Sequence, residues 1–218
     1  MPRHRRGFDL EAAHAHLVRA DPALAPWLRR HGPLPAPAGW RRRLQPVDAL
    51  ARAILYQQLS GKAAATIVAR VEAAAGSRRL DAAALMRVDD ARLRACGVSA
   101  NKLRALRDLA ARAEAGQVPD ARRLAYMDAE AIVQALLPVR GIGRWTVEML
   151  LMFQLGRPDV LPLDDLGIRK GAQLLDGLPQ PPDAAGLRAR GAAWAPYRTY
   201  AALWLWRIVA LVRDEAQA

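Results

Sequence analysis

The sequence has a single cysteine and no long apolar run, and both absences exclude whole classes of protein. Cys96 alone cannot form an intramolecular disulfide, a Cys-based structural zinc site or a four-Cys iron–sulfur cluster. A transmembrane helix needs about 18 consecutive apolar residues, and the sequence has no such stretch. The basic start leads into Phe8-Asp-Leu-Glu instead of the apolar core of a signal peptide. We therefore expect a cytoplasmic protein with no membrane partner.

Acidic residues are much fewer than basic ones. The 33 Lys and Arg exceed the 21 Asp and Glu, which gives a formal net charge of +12. A compact basic protein usually has an anionic partner, and nucleic acid is the commonest candidate, although ribosome-associated and merely Arg-rich proteins share this composition. A hydrophobic content of 52% supports a sizeable core and excludes a disordered chain.

Alternating strand patterns are also absent, and apolar residues recur at helical spacing nearly throughout. Residues 129–137 have an apolar residue at every third or fourth position, and so do residues 103–113, for which Ser99 is the expected N-cap. The segments 145–155 and about 197–214 are apolar on most faces, as is typical of buried helices. The sequence therefore predicts an all-α fold.

The sharpest local feature is the segment Leu137-Pro-Val-Arg-Gly-Ile-Gly-Arg-Trp-Thr146, which lies between two predicted helices. Gly141 and Gly143 permit a close approach of the backbone to a ligand. The following helix begins with unpaired N–H groups that suit a phosphate. An ordinary tight turn between packed helices would also explain the glycines. The flanking Arg140 and Arg144, together with the net charge, favour phosphate binding.

Two further segments contain polar residues that suit either chemistry or structure. Asp164 and Asp165 precede Leu-Gly-Ile168, where an Asp is most often a helix N-cap. Gln57 continues an apolar helix face, so its amide needs a hydrogen-bonding partner. It either holds a neighbouring loop or lines a polar pocket. Ser60 is the expected cap of the next helix.

Together these segments resemble the helix-hairpin-helix superfamily of DNA glycosylases, most closely its 3-methyladenine branch. Larger members carry an additional β-rich N-terminal domain, for which this chain has no room, so it resembles the short form. The resemblance runs from about residue 40 to 212. Four motifs in the family's order carry it: Ala53-Ile-Leu-Tyr-Gln-Gln-Leu-Ser-Gly-Lys62, Pro138-Val-Arg-Gly-Ile-Gly-Arg-Trp-Thr146, Pro162-Leu-Asp-Asp-Leu-Gly-Ile168 and Trp194-Ala-Pro-Tyr-Arg-Thr-Tyr-Ala-Ala-Leu-Trp-Leu-Trp206.

The resemblance implies one glycosylase domain made of two helical subdomains that flank a cleft. The first subdomain would span about residues 45–137, and the second about residues 1–44 plus 138–218. It also implies hydrolysis of the N-glycosidic bond of alkylated purines in double-stranded DNA, which leaves an abasic site. No cofactor is required for this reaction, and we expect a monomer that acts on the bacterial nucleoid.

The family's catalytic Asp lies three residues before an apolar helix position, which selects Asp165 and leaves Asp164 as the second choice. A carboxylate beside C1′ stabilises the sugar cation that forms as the base leaves. Relatives that also cut the strand have a Lys, which forms a Schiff base, at the position of Trp145. The resemblance therefore implies a monofunctional hydrolase.

The target base must leave the duplex and enter a pocket, where aromatic faces stack on an electron-poor purine. The resemblance assigns substrate binding to Gln57, Gln58, Trp145, Met149 and Trp206, although a Trp can equally serve as core packing. Gln57 and Gln58 also match the region from which relatives insert a wedge into the duplex. Met149 replaces a Tyr of some relatives, which leaves the substrate range open.

The resemblance also assigns contacts with DNA and with a cation. The hairpin would hold a monovalent cation, Na or K, through the backbone carbonyls of Leu137, Val139 and Ile142. The DNA-binding residues would be Arg140, Gly141, Gly143, Arg144, Thr146 and Lys170.

Two other functions remain open at this point. A non-catalytic helix-hairpin-helix protein that binds DNA or recognises damage would need the hairpin but neither Asp165 nor an aromatic pocket. A glycosylase for oxidised or deaminated bases would differ only in the chemistry of its pocket.

Overall fold

The computed structural model describes residues 3–216, which form helices and no β-strand, so the predicted all-α fold is confirmed. Met1 and Pro2 of the basic start lie outside this range. No helix within it is long and apolar enough to cross a membrane. In chain order the helices are α1 (Leu10–Ala20), α2 (Ala25–His31), α3 (Pro46–Tyr56), α4 (Gly61–Ala75), α5 (Ala82–Arg87), α6 (Asp90–Ala95), α7 (Ala100–Glu114), α8 (Ala121–Leu124), α9 (Ala129–Leu136), α10 (Arg144–Leu150), α11 (Leu166–Asp176), α12 (Ala184–Arg190) and α13 (Arg198–Glu215).

Side chains of Asp and Ser set the starts of most of these helices, because each accepts a hydrogen bond from an otherwise unpaired backbone N–H. The predicted caps Ser60 and Ser99 are both confirmed, with bonds from Ala63 N and Lys102 N. The segment 145–155 differs from the prediction of one helix. Helix α10 ends at Leu150, and the chain continues as a π-helical turn over Leu151–Leu155.

The chain divides into two compact units. The first unit comprises residues 3–4 and Arg42–Leu150, and the second comprises Arg5–Arg41 and residues 151–216. The boundary therefore lies after Leu150, whereas the sequence placed it near residue 137. The physical reason is that α10 packs against α9 and α3, which keeps the hairpin and the helix that follows it within the first unit.

The first unit is organised around α7, which packs against α3 and α5. Leu50 and Ile54 of α3 and Leu106 and Leu109 of α7 are fully or almost fully buried. Burial of each such side chain contributes about 1.5–3 kcal/mol relative to its exposure to water. This core fixes the end of α3 and the hairpin relative to one another.

The second unit is organised around the pairing of α11 with α13. Ile168 of α11 and Leu205 and Ile208 of α13 are buried. Gly171 lies directly on the carbonyl group of Leu205, so that a Cβ there would overlap the backbone of α13. The two helices therefore approach closely, which brings the start of α11 beside the indole ring of Trp206.

Candidate active site and DNA-binding hairpin

Asp165 is buried at the N-terminus of α11, with 9% of its surface exposed. Its Oδ1 accepts hydrogen bonds from the backbone N–H of Ile168 at 2.8 Å and from Nε1 of Trp206 at 2.9 Å. The N-cap interpretation is thus confirmed, and the same contacts fix the direction of the carboxylate. The positive end of the helix dipole lies beside the carboxylate and stabilises a negative charge there. The neighbouring Asp164 is exposed.

Trp206 lies in the second unit with Asp165. Its half-buried ring contacts Phe153 as well as the Asp165 carboxylate. Its ring stacks on Phe153 with centroids 5.8 Å apart and an interplanar angle of 21°. A Cβ at Gly167 would lie only 2.9 Å from Nε1 of Trp206 and 3.2 Å from Oδ1 of Asp165. The absence of a side chain at residue 167 is therefore a condition for the bond between the indole and the carboxylate.

A cavity of about 570 Å³ lies in the first unit, and four of the five predicted substrate-binding residues line it. Trp145 contributes an aromatic ring that is 44% exposed, and Met149 lies one turn further along α10. Trp206, the fifth, belongs to the other unit. The lining residues are Ala53, Tyr56, Gln57, Gln58, Leu59, Trp145, Thr146 and Met149.

The loop that follows α3 has a strained backbone. Gln58 has φ = +56°, and among residues 3–216 it is the non-glycine residue with a positive φ. Such a conformation costs about 1 kcal/mol or more and persists where surrounding contacts impose it. The side chains of Gln58 and Leu59 are both exposed. Gln57 was expected either to hold a neighbouring loop or to line a pocket, and in the structure it does both. It lines the cavity, and its Nε2 donates to the carbonyl of Gly141 at 2.8 Å.

The hairpin between α9 and α10 is a tight turn with buried apolar anchors. The N–H of Ile142 donates to the carbonyl of Val139 at 3.0 Å, and both side chains are buried. Gly141 has φ = +77°, and a Cβ there would lie 3.2 Å from that of Ala105, so glycine is required by the fold. At Gly143, in contrast, a Cβ would have no neighbour within 4 Å. Steric contact within residues 3–216 thus does not require glycine at residue 143, and the free space would let an external group approach the start of α10.

Two acidic side chains contact the basic residues of the hairpin. Asp108 on α7 accepts the backbone N–H of Arg140 at 2.7 Å. Burial raises the pKa of Asp108, but the hydrogen bonds from Arg140 and Arg112 outweigh it and lower that pKa below its ordinary value. Glu130 accepts two bonds from the guanidinium of Arg144 at 2.7 and 2.9 Å. The bonds from Arg144 and Gln134 lower the pKa of Glu130 to about 2.

The other two predicted DNA ligands, Thr146 and Lys170, are not part of the exposed hairpin turn. Thr146 is 5% exposed and lines the cavity, so burial keeps its side chain from the exposed face of the hairpin. Lys170 is exposed on α11 of the second unit, where its Nζ donates to Gln173 at 2.8 Å. Arg140, Gly141, Gly143 and Arg144 are exposed at the turn.

The cation that the resemblance implies would be held by the backbone carbonyls of Leu137, Val139 and Ile142. Each carbonyl oxygen has two lone pairs, and that of Val139 uses one for the N–H of Ile142. Backbone carbonyls replace the hydration shell of alkali cations in other proteins. Within residues 3–216 no group of His, Cys, Asp and Glu is arranged to hold a metal ion.

Sequence reasoning missed several residues that hold these sites together. Three of them contact a predicted site residue from a distant part of the chain: Phe153, Lys102 and Asp108. The fourth, Glu130, contacts Arg144 from α9, the helix before the hairpin. The glycine of Asp-Asp-Leu-Gly-Ile was the one local signal available, because a glycine at the start of a helix often marks a close approach.

An all-α fold with a Gly-x-Gly hairpin ahead of a buried carboxylate at a helix start is the architecture of helix-hairpin-helix proteins that repair DNA bases. The chain belongs to the HhH-GPD superfamily of base excision DNA repair proteins, whose family pattern matches residues 51–196.

Relatives with curated names cover most of the chain. It is 38% identical over 164 residues to DNA-3-methyladenine glycosylase 1 of Schizosaccharomyces pombe, a match that covers 75% of this chain and 72% of the relative. It is 29% identical over 210 residues to the alkylbase DNA glycosidase-like protein mag2 of the same yeast. This match covers 94% of this chain and 96% of the relative.

Two solved structures of 3-methyladenine glycosylases have a fold similar to that of this chain. A DNA-3-methyladenine glycosidase from Bacillus halodurans superposes with a TM-score of 0.84 at 34% identity and covers 95% of this chain and 94% of its own. The 3-methyladenine DNA glycosylase of Schizosaccharomyces pombe in complex with abasic DNA gives 0.81 at 34% identity and covers 90% and 95%. The resemblance to the 3-methyladenine branch of the superfamily is confirmed.

Proposed function

We propose that this protein hydrolyses the N-glycosidic bond of alkylated purines, chiefly 3-methyladenine-like bases, in double-stranded DNA. The observation that carries the proposal is the buried carboxylate of Asp165, fixed by Ile168 and Trp206 at the start of α11. The names of the relatives, which are 3-methyladenine glycosylases, support the same substrate class.

The reaction needs little more than a fixed negative charge at the sugar. An alkylated purine carries a positive charge, so it departs as a neutral base when the C1′–N bond breaks and takes the bonding electron pair. The sugar cation left behind is stabilised by the carboxylate of Asp165. Water then adds to C1′ and loses its proton, and the product is an abasic site.

The cavity in the first unit supplies the surroundings for a base taken out of the duplex. Its volume of about 570 Å³ lies within the usual range of small-molecule sites, roughly 300–1,000 Å³. The exposed ring of Trp145 offers a π face to a cationic purine. Met149 adds a polarizable, adaptable side chain, which suits a range of alkylated bases.

The hairpin holds the DNA backbone in this proposal. The start of α10 follows Gly143, where an added Cβ would meet no atom of the protein, and Arg144 adds a positive charge there. The carbonyls of Leu137, Val139 and Ile142 would hold Na⁺ or K⁺, and a bound ion would add positive charge near the phosphate. Replacing K⁺ and Na⁺ by tetramethylammonium at constant ionic strength should then weaken binding to duplex DNA.

The function is tested by incubating the protein with methylated duplex DNA and separating the released bases by chromatography. We expect 3-methyladenine in the soluble fraction, and none with Asp165→Asn. The strand should stay intact until it is heated in alkali, and borohydride should trap no covalent complex, because Trp145 stands where a Schiff-base Lys would. Tight DNA binding without release of any base would identify a non-catalytic binder, and release of oxidised or deaminated bases alone would identify a different glycosylase.

A further inference from the structure

Lys102 makes two long-range contacts with the end of α3. Its Nζ donates hydrogen bonds to the carbonyls of Leu55 at 2.8 Å and Gln57 at 2.7 Å, although it lies on α7 more than 40 residues later. The last carbonyls of a helix lack partners within the helix, and a cation there interacts favourably with the helix dipole. Partial burial lowers the pKa of the Lys102 ammonium group. The chain therefore places a partly buried charge at this helix end.

The contact lies directly before the strained residue of the first unit. Gln57, whose carbonyl Lys102 binds, precedes Gln58 with its φ of +56°. A left-handed glutamine persists only when its neighbours fix the backbone on either side. On the other side Ser60 caps α4 through Ala63 N. Lys102 and Ser60 thus bracket the loop formed by residues 57–60.

The 57–60 loop is hydrogen-bonded to the hairpin, and side chains of α7 are hydrogen-bonded to both. Nε2 of Gln57 donates to the carbonyl of Gly141. The next residue, Gln58, lines the cavity together with Trp145 at the start of α10. Asp108, six residues after Lys102 on α7, accepts the backbone N–H of Arg140. The 57–60 loop and the hairpin are therefore held side by side within the first unit.

We propose that Lys102 is a positioning residue for base extrusion: it fixes the 57–60 loop in the conformation that enters the duplex when the damaged nucleotide leaves it. Because Gln57 is hydrogen-bonded to Gly141, the loop moves with the hairpin. Binding of the phosphate by the hairpin and insertion of the loop into the base stack are then coupled. This role rests on the proposed function, since it presupposes a base that must leave a duplex.

The role predicts a difference between duplex and single-stranded substrates, because a base in a single strand needs no extrusion. Lys102→Met removes both hydrogen bonds and keeps much of the side-chain volume, and Lys102→Arg keeps a cationic donor. Arg94→Met is a matched control, since Arg94 donates to the carbonyl of Val98 at 2.8 Å beyond the end of α6 in the same way, without contact to the loop. Circular dichroism and thermal unfolding should first show each variant folded.

The measurement is the single-turnover rate of base release from one methylated oligonucleotide, alone and in a duplex. For Lys102→Met we expect the duplex rate to fall about tenfold, the size of losing hydrogen bonds to a charged donor, while the single-strand rate changes less than twofold. Lys102→Arg should restore most of the duplex rate, and Arg94→Met should leave the ratio of the two rates unchanged. Equal losses on both substrates, or no rescue by Lys102→Arg, would overturn the role.

A second readout separates this role from the glycosylase activity itself. A duplex with 2-aminopurine next to a modified base that resists cleavage brightens when the stack opens, and the signal does not require hydrolysis. We expect weaker brightening with Lys102→Met at saturating protein. Gln57→Leu removes the hydrogen bond to Gly141, so we expect the same result, and this variant replaces Lys102→Met if the latter does not fold. Brightening equal to that of the unaltered protein would contradict the role of Lys102. Failure of the unaltered protein to release any base would contradict the proposed function alone.

Discussion

The indole N–H of Trp206 and the carboxylate of Asp165, 41 residues apart in the sequence, are joined by a hydrogen bond of 2.9 Å. The carboxylate proposed to stabilise the sugar cation therefore accepts hydrogen bonds from different elements, among them its own helix and α13. From this bond we infer a positioning role for Trp206, in addition to the stacking role that the resemblance implies.

Replacing Asp165 by Asn tests the catalytic assignment. The amide keeps the size and an acceptor oxygen for Ile168 and Trp206, but it removes the negative charge that faces the sugar. We expect base release to fall by about 100-fold or more, while the affinity for duplex DNA is retained. Asp164→Asn is the matched control, because that side chain is exposed, and it should change the rate by less than a few-fold. Equal rates for Asp165→Asn and the unaltered protein would remove the assignment.

Replacing Trp206 by Phe separates positioning from stacking. The phenyl ring can still stack on Phe153 but has no N–H for Asp165. We expect the single-turnover rate to fall about tenfold, since a hydrogen bond to a charged group is worth about 1.5–3 kcal/mol, with little change in DNA affinity. Phe153→Leu removes the stacking and keeps the donor, so it should be milder. A Trp206→Phe protein as fast as the unaltered one would show that the indole N–H has no positioning role.

Removing the charge of Glu130 should strengthen DNA binding. The carboxylate pairs with the guanidinium of Arg144 in two bonds, so a phosphate must displace it. The pKa of about 2 keeps Glu130 ionised at all neutral and mildly acidic pH values, and the pairing is lost only as the pH falls towards that value. We expect Glu130→Gln to bind undamaged duplex more tightly. Arg144→Ala should bind more weakly and lower the salt slope of log K by about one.

The double variant is the control for this pair. Glu130→Gln combined with Arg144→Ala should show no gain over Arg144→Ala, since the carboxylate acts through the guanidinium. An equal gain in the presence and absence of Arg144 would mean that Glu130 repels DNA directly and that the pairing is irrelevant.

Adding a side chain at Gly143 should affect DNA binding more than folding. A Cβ there meets no atom of the protein, so Gly143→Val should leave the midpoint of thermal unfolding nearly unchanged. If a phosphate approaches the start of α10, the added methyl groups should weaken binding to damaged and undamaged duplex alike, since phosphate contacts carry no base information. Salt titrations monitored by fluorescence anisotropy measure this. Unchanged affinity across the titration would place the phosphate elsewhere.

Local patterns predicted the parts of this molecule that neighbouring residues determine. Helical spacing gave α7, α9 and α13 to within a residue or two, and the caps Ser60 and Ser99 follow from the preference of a serine oxygen for free N–H groups. The motif at residues 53–62 and the hairpin placed Gln57, Gln58, Trp145 and Met149, which line one cavity.

Contacts between distant elements could not be predicted in this way. The partners of Lys102 are 45 and 47 residues away, and those of Asp108 and Trp206 are 32 and 41 residues away. Such pairs depend on how helices pack, and periodicity within one helix contains no information on its neighbours. For the same reason the boundary after Leu150 was missed, because it depends on the packing of α10 against α3 and α9.

Two glycines of α11, which have no Cβ atom, set the distance between the Asp165 carboxylate and the indole of Trp206. At Gly171 the missing atom lets α11 rest on the backbone of α13, and at Gly167 it leaves room for the indole beside Asp165. Neither glycine offers a chemical group to a substrate, yet a single methyl group at either position would push the carboxylate and its donor apart. Libraries designed to alter substrate preference should therefore keep both glycines fixed, and a loss of activity after mutation of either one reports lost geometry rather than lost chemistry.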